Sequence, residues 1–158
     1  MELQGSRHAS GRRFAIVVSS FNKEFAEGLL RGARAALLEC GVSDADVTVV
    51  RVPGAFEIPL AARHLIMTER FDAVVCLGCL IKGDTMHFEY IAEAVSHGIM
   101  AVSADKGVPA TFGVLTTLTE EQAVARAADG PDNKGREAAL AAVEMTTIVE
   151  AIAGLGQA

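Results

Sequence analysis

The chain has 158 residues, a formal net charge of −6 and 51% apolar residues, which suits one domain with a sizeable core. The acidic balance, with no basic cluster beyond Arg12-Arg13, speaks against nucleic acid and acidic membrane surfaces as partners. No apolar run approaches the roughly 18 residues of a membrane span, and the polar stretch Met1 to Arg13 lacks the apolar core of a signal peptide, so the expected location is cytoplasmic.

In chain order, Phe14 to Ser19 reads as a first strand. Lys23 to Cys40 follows as a helix, with Phe25, Leu29, Leu30, Ala33, Leu37 and Cys40 on one face and Gly41 as its stop. A second strand, Val47 to Val52, ends at Pro53-Gly54, and a helix over Ile58 to Met67 tolerates Pro59 in its first turn. Ala73 to Ile81 is apolar at every position but Gly78. A run apolar on both alternating faces is a strand covered on both sides, hence parallel. Cys76 and Cys79 spell C-x-x-C within it, but strand residues three apart point to opposite faces. No second Cys or His pair completes a metal set, so core packing is the expectation.

A helix starts near Met86 and runs to Lys106, with Ile91, Val95, Ile99 and Val102 at helical spacing and Gly107 ending it. Val108 to Thr116 is a fourth strand. Thr119-Glu120-Glu121-Gln122 is a capping box opening a short helix, Glu120 to Ala127. Asp129 to Gly135 carries turn residues throughout and reads as a loop. A last helix covers Arg136 to Ala153. Four strands alternating with helices predict one α/β domain over residues 1–158: a three-layer αβα sandwich with a flavodoxin-like, four-stranded parallel sheet flanked by helices.

Ligands of such sheets bind beyond the C-terminal strand ends. That rule selects Ser19-Ser20-Phe21-Asn22, Pro53 to Glu57, Lys82 to His87 and Thr116-Thr117. Gly83-Asp84-Thr85 falls where a strand meets a helix start. Asp84 and Thr85 can cap there, and unpartnered N–H groups favour an anion such as phosphate. His87 falls on the first helical turn, where the dipole favours the neutral ring and the side chain can accept a proton. The plainer reading is that any βα turn uses Gly and a cap, and that a lone His decorates a surface. Phe21 reads equally as a platform for a planar ring or as a hydrophobic cap on the first helix. Glu57 reads as a partner for sugar hydroxyls or as a solvated carboxylate near a helix start. Arg126 and Lys134 read locally as ordinary helix-end and loop cations, and His8, His64 and His97 as surface residues.

Rival constellations are missing from the sequence. It has no G-x-G-x-x-G, no G-x-x-x-x-G-K-[ST] and no G-x-S-x-G, which leaves dinucleotide, P-loop and serine-elbow chemistry unsupported. Ser19-Ser20 and Ile81 stand where a phospho-acceptor domain needs acidic residues.

Six segments then acquire meaning together. They are Ala15 to Asn22, Arg51 to Pro59, Leu77 to Tyr90, Phe112 to Thr117, Gln122 to Ala127, and Asn133-Lys134-Gly135 with Glu137-Ala138-Ala139. In order and spacing they resemble the lumazine synthase family over nearly the whole chain. The resemblance implies a transferase at the penultimate step of riboflavin biosynthesis, using no cofactor and no metal. It would join 5-amino-6-ribitylaminouracil to 3,4-dihydroxy-2-butanone 4-phosphate, giving 6,7-dimethyl-8-ribityllumazine, phosphate and water.

The resemblance also assigns roles. Phe21 would stack on the pyrimidine, and Ala55, Phe56 and Glu57 would hold the ribityl chain. Cys79, Leu80 and Ile81 would meet the ring edge through their backbone, and Phe112 and Lys134 would also line the site. Gly83, Asp84 and Thr85 would bind phosphate with Arg126. His87 would transfer protons, with Glu137 nearby. The family forms pentamers, decamers and icosahedral shells with sites between neighbours, so Phe112, Arg126, Lys134 and Glu137 need not share a subunit with His87. Residues 1–12 resemble the arm that joins a neighbour's sheet, and riboflavin synthase is the implied protein partner. Ser20 departs from the Arg common at its position, and Lys82 and Asp84 also depart. The alternatives are an archaeal-type riboflavin synthase paralogue and a non-catalytic lumazine- or flavin-binding protein.

Overall fold

The computed structural model describes residues 1–156, so Gln157 and Ala158, the end of the expected domain, lie outside the described residues. The elements are β1 (Phe14–Ser19), α1 (Lys23–Glu39), β2 (Val47–Val52), α2 (Ile58–Met67), β3 (Ala73–Ile81), α3 (His87–Lys106), β4 (Ala110–Thr117), α4 (Glu120–Ala127) and α5 (Lys134–Leu155). Two 3-10 turns, Asp44–Asp46 and Ala55–Glu57, add to the sequence expectation. The four strands form one parallel sheet in the order β2-β1-β3-β4.

Alternation along the central strands explains their unbroken apolar runs. Phe14, Ile16 and Val18 of β1, with Val75, Leu77 and Cys79 of β3, face a core under α1 and α5. Ala15, Val17, Val74 and Cys76 face a second core under α2 and α3. The two cysteines thus lie on opposite faces, as strand geometry requires. Burial pushes the Cys76 thiol up to about 12 and the Cys79 thiol up to about 11.

β4 and α5 end later than expected, at Thr117 and Leu155, and other boundaries differ for physical reasons. The first helix stops at Glu39, with Cys40 as its cap and Gly41 at φ 89°. β4 starts at Ala110 rather than Val108, because Pro109 has no N–H to give a ladder and Ser103 takes over locally. The Ser103 hydroxyl donates to the Val108 carbonyl and accepts the Ala110 N–H, both at 3.1 Å. α5 starts at Lys134 rather than Arg136, because the Asn133 side chain caps it by accepting the Arg136 N–H at 3.0 Å.

α5 is long and apolar enough to cross a membrane by length and composition, with a mean hydropathy of 1.6 over its best window. Glu144 and Glu150 interrupt it, and both are claimed by the N-terminal segment through Arg7 and Arg12. Its inner face, including Ala138, Ala139, Ala142 and Val143, is buried core. The N-terminal segment therefore lies along α5 of its own chain. The Ser6 N–H donates to Thr147 Oγ1 at 2.9 Å, and the Ala9 N–H to the Cys40 carbonyl at 2.8 Å. Met1 to Gln4 are exposed.

Candidate active site

A cavity of about 670 Å³ opens beyond the C-terminal ends of β1, β2 and β3. β3 continues four residues past its last pair with β1 while still pairing with β4 through Ile81↔Thr117. Cys79, Leu80 and Ile81 therefore line the cavity beside a strand that has already ended. Asn22, the residue after Phe21, adopts the left-handed conformation at φ 52°, which Asn tolerates better than most residues. From there its side chain donates to the Cys79 carbonyl at 2.9 Å and ties the loop after β1 to β3. The Phe21 N–H donates to the Pro53 carbonyl at 3.2 Å, so the backbone is pinned while the ring is 68% exposed. Phe56 and Tyr90 also present exposed rings to this cavity. Large apolar rings held open to water are costly unless something covers them.

The turn after β3 ends at the start of α3, whose first residue is His87. No side-chain cap closes this helix; the cap residue is Met86, not Asp84 or Thr85. The Thr85 hydroxyl lies 3.5 Å from the His87 N–H, the outer limit of a hydrogen bond. The first amides of α3 therefore keep their affinity for an anion. An ion pair between Lys82 and Glu89 spans the turn and, with the Glu89 backbone amide, holds the Glu89 carboxyl below its usual range. Glu57 has a local duty that the sequence reading missed: its Oε2 accepts the Gly54 N–H at 2.9 Å.

A second cavity, about 360 Å³, lies along β4 between α4 and α5. Phe112, Arg126, Lys134 and Glu137 line it. Lys134 and Glu137 form an ion pair on the first turn of α5, and Arg126 Nη1 donates back to the Gln122 carbonyl at 3.1 Å.

The expected residues thus fall into two sets. Phe21, Ala55, Phe56, Glu57, Cys79, Leu80, Ile81, Gly83, Thr85 and His87 line the first cavity. Phe112, Arg126, Lys134 and Glu137 line the second, so within one chain Arg126 does not meet the Gly83-to-Thr85 turn, nor Glu137 His87. Asp84 is exposed and lines neither. Asn22, Phe88 and Tyr90 join the first cavity without having been given a role there. The signal for Asn22 was its place at a strand end beside Phe21.

The family model described as 6,7-dimethyl-8-ribityllumazine synthase matches residues 11–150. The chain is 47% identical over 150 residues to the 6,7-dimethyl-8-ribityllumazine synthase of Desulfotalea psychrophila (strain LSv54 / DSM 12343), covering 95% of this chain and 97% of that protein. It is 49% identical over 149 residues to the enzyme of the same name from Syntrophus aciditrophicus (strain SB), covering 94% and 97% respectively. With the match spanning nearly its full length, the chain belongs to the 6,7-dimethyl-8-ribityllumazine synthase family.

Proposed function

We propose that the chain condenses 5-amino-6-ribitylaminouracil with 3,4-dihydroxy-2-butanone 4-phosphate, giving 6,7-dimethyl-8-ribityllumazine, phosphate and water, in a site completed by two copies. The observation that carries this reading is an aromatic-walled cavity beside an uncapped helix start, with the cations in a separate cavity. The pyrimidine lies on Phe21 with its edge against the backbone of Cys79 to Ile81, and the ribityl chain runs over Ala55, Phe56 and Glu57. The phosphate rests on the amides that open α3. Arg126, Lys134, Phe112 and Glu137 of the neighbouring copy close the site. His87 moves protons.

The substrate amine is the nucleophile, so the protein needs no activated serine or thiolate. Orientation of two bound molecules contributes up to about 7–11 kcal/mol, and a positioned acid/base about 10²–10⁴-fold. Mixing both substrates with the protein should produce lumazine fluorescence together with phosphate release. Absence of both overturns the reading. Riboflavin formed from lumazine alone would instead assign the archaeal-type synthase, and tightly held flavin without turnover a carrier.

Phe21→Ala is expected to weaken binding of the pyrimidine substrate by about 0.5–1.5 kcal/mol beyond the lost apolar contact. The phosphate substrate should be nearly unaffected. Equal changes in both KM values would return Phe21 to the role of a helix cap.

The shared site requires an obligate oligomer, and we place it on a five-fold ring or multiples of one. The exposed Met1 to Gln4 and the edge strand β2 offer a route for one copy's arm to join the next copy's sheet. Light scattering should show activity only in the assembled species. Co-expressed His87→Ala and Arg126→Ala chains should regain activity, because roughly a quarter of randomly formed interfaces receive both intact halves. An active monomer at micromolar concentration, or no regain on mixing, would overturn the shared site.

A further inference from the structure

Asn133 is 1% exposed, yet its side chain is fully engaged. Its amide nitrogen donates to the carbonyls of Gly28 at 3.1 Å, Ala127 at 3.1 Å and Ala128 at 3.0 Å. Its side-chain oxygen accepts the Arg136 N–H at 3.0 Å, and its backbone carbonyl accepts the Glu137 N–H at 3.1 Å. One buried residue thus joins α1, the end of α4 and the start of α5. Glycines make the approach possible. A Cβ on Gly32 would lie 2.1 Å from Asn133 Oδ1, one on Gly28 2.3 Å from the Ala127 carbonyl oxygen, and one on Gly135 2.0 Å from that of Leu29. Arg126 directly precedes Ala127, and Lys134 directly follows Asn133.

We infer that Asn133 is a positioning residue for the reaction, fixing Arg126 relative to Lys134 and Glu137. The inference rests on the roles proposed above for those three residues. The chemistry calls for an amide, which offers donors and an acceptor on one short side chain. Aspartate would keep the helix cap but turn an acceptor toward three carbonyls. Serine would also cap but lacks the reach and the paired N–H groups to hold α1 and α4. Misplacement by about 1 Å can cost on the order of 10²-fold in rate, so a clasp of this kind acts on catalysis without touching substrate.

The test uses full-length Asn133→Asp and Asn133→Ser beside Arg126→Ala and a core variant, Val143→Ala. Melting temperature, kcat and the KM of each substrate are measured, and the Asn133 variants are repeated in the Arg126→Ala background. The Asn133 variants should raise KM for the four-carbon phosphate about 10- to 100-fold. They should add nothing to that KM once Arg126 is gone. Val143→Ala should lower the melting temperature and leave both KM values in place. Unchanged KM in the Asn133 variants beside a raised KM in Arg126→Ala overturns the positioning role while sparing the site reading. An unchanged KM in Arg126→Ala overturns the site reading and this inference with it. Full additivity, or failure of both Asn133 variants to fold, assigns the residue to stability alone and overturns the proposal.

Discussion

Replacing His87 with alanine should slow turnover by roughly 10- to 10³-fold without abolishing it. The substitution is clean because His87 is exposed and its bond to Thr85 is made by its backbone N–H, which alanine keeps. The start of α3 and its anion-binding amides survive, as do Phe21 and the β3 backbone. What is lost is the proton carrier proposed above. KM for both substrates should therefore change little while kcat falls, and added imidazole should restore part of the rate. An unchanged single-turnover rate would remove His87 from the chemistry. A covalent adduct on His87, seen by mass spectrometry, would make it a nucleophile instead.

Removing Arg126 should act on binding rather than on proton transfer. Arg126 is exposed at the C-terminal end of α4, and its bond to the Gln122 carbonyl leaves N–H groups for an anion. A charge-assisted hydrogen bond contributes about 1.5–3 kcal/mol. Arg126→Ala should accordingly raise KM for the phosphate substrate about tenfold or more, and weaken competition by inorganic phosphate to match. Pyrimidine binding should stay nearly intact. Arg126→Lys should recover part of the loss, since it keeps the charge but not the fork of donors. If Arg126→Ala titrates with inorganic phosphate like the parent chain, the assignment is wrong.

The central fold was legible because its signals are local and strong. β1, β2 and β3 occupy the expected residues; continuous apolar runs bounded by Pro, Gly and polar turns permit few other readings. α2 and α4 follow for the same reason, with Pro59 and the Thr119 cap marking their starts. The early start of α5 was hidden by composition. Asn133-Lys134-Gly135 carries turn residues, and an Asn reads equally as a loop residue or as the helix cap it is, its side-chain oxygen accepting the Arg136 N–H. Its amide bond to Gly28, 105 positions away, lies in no local window. The 3-10 turns were hidden by shortness, since three residues carry no period.

The site divided along similar lines. His87 and the preceding turn could be read from a strand meeting a helix. Arg126, Lys134 and Glu137 looked ordinary because each is commonplace in its own element. They gain meaning only when β4, α4 and α5 bring them to one cavity. The expected capping by Asp84 and Thr85 failed for a related reason. At Thr85 the hydroxyl only reaches the His87 N–H at 3.5 Å, which leaves the helix start open.

Cys79 carries one more consequence. It lines the first cavity, while it also belongs to the core on the α1 side of the sheet. A thiol raised to about 11 is ionised to only about one part in 10⁴ at neutral pH. The four-carbon substrate proposed above is an electrophilic ketone, and the thiolate, not the thiol, is the form of cysteine that attacks such a group. Turned into the core, this side chain is withheld from whatever electrophile enters the cavity that its residue lines.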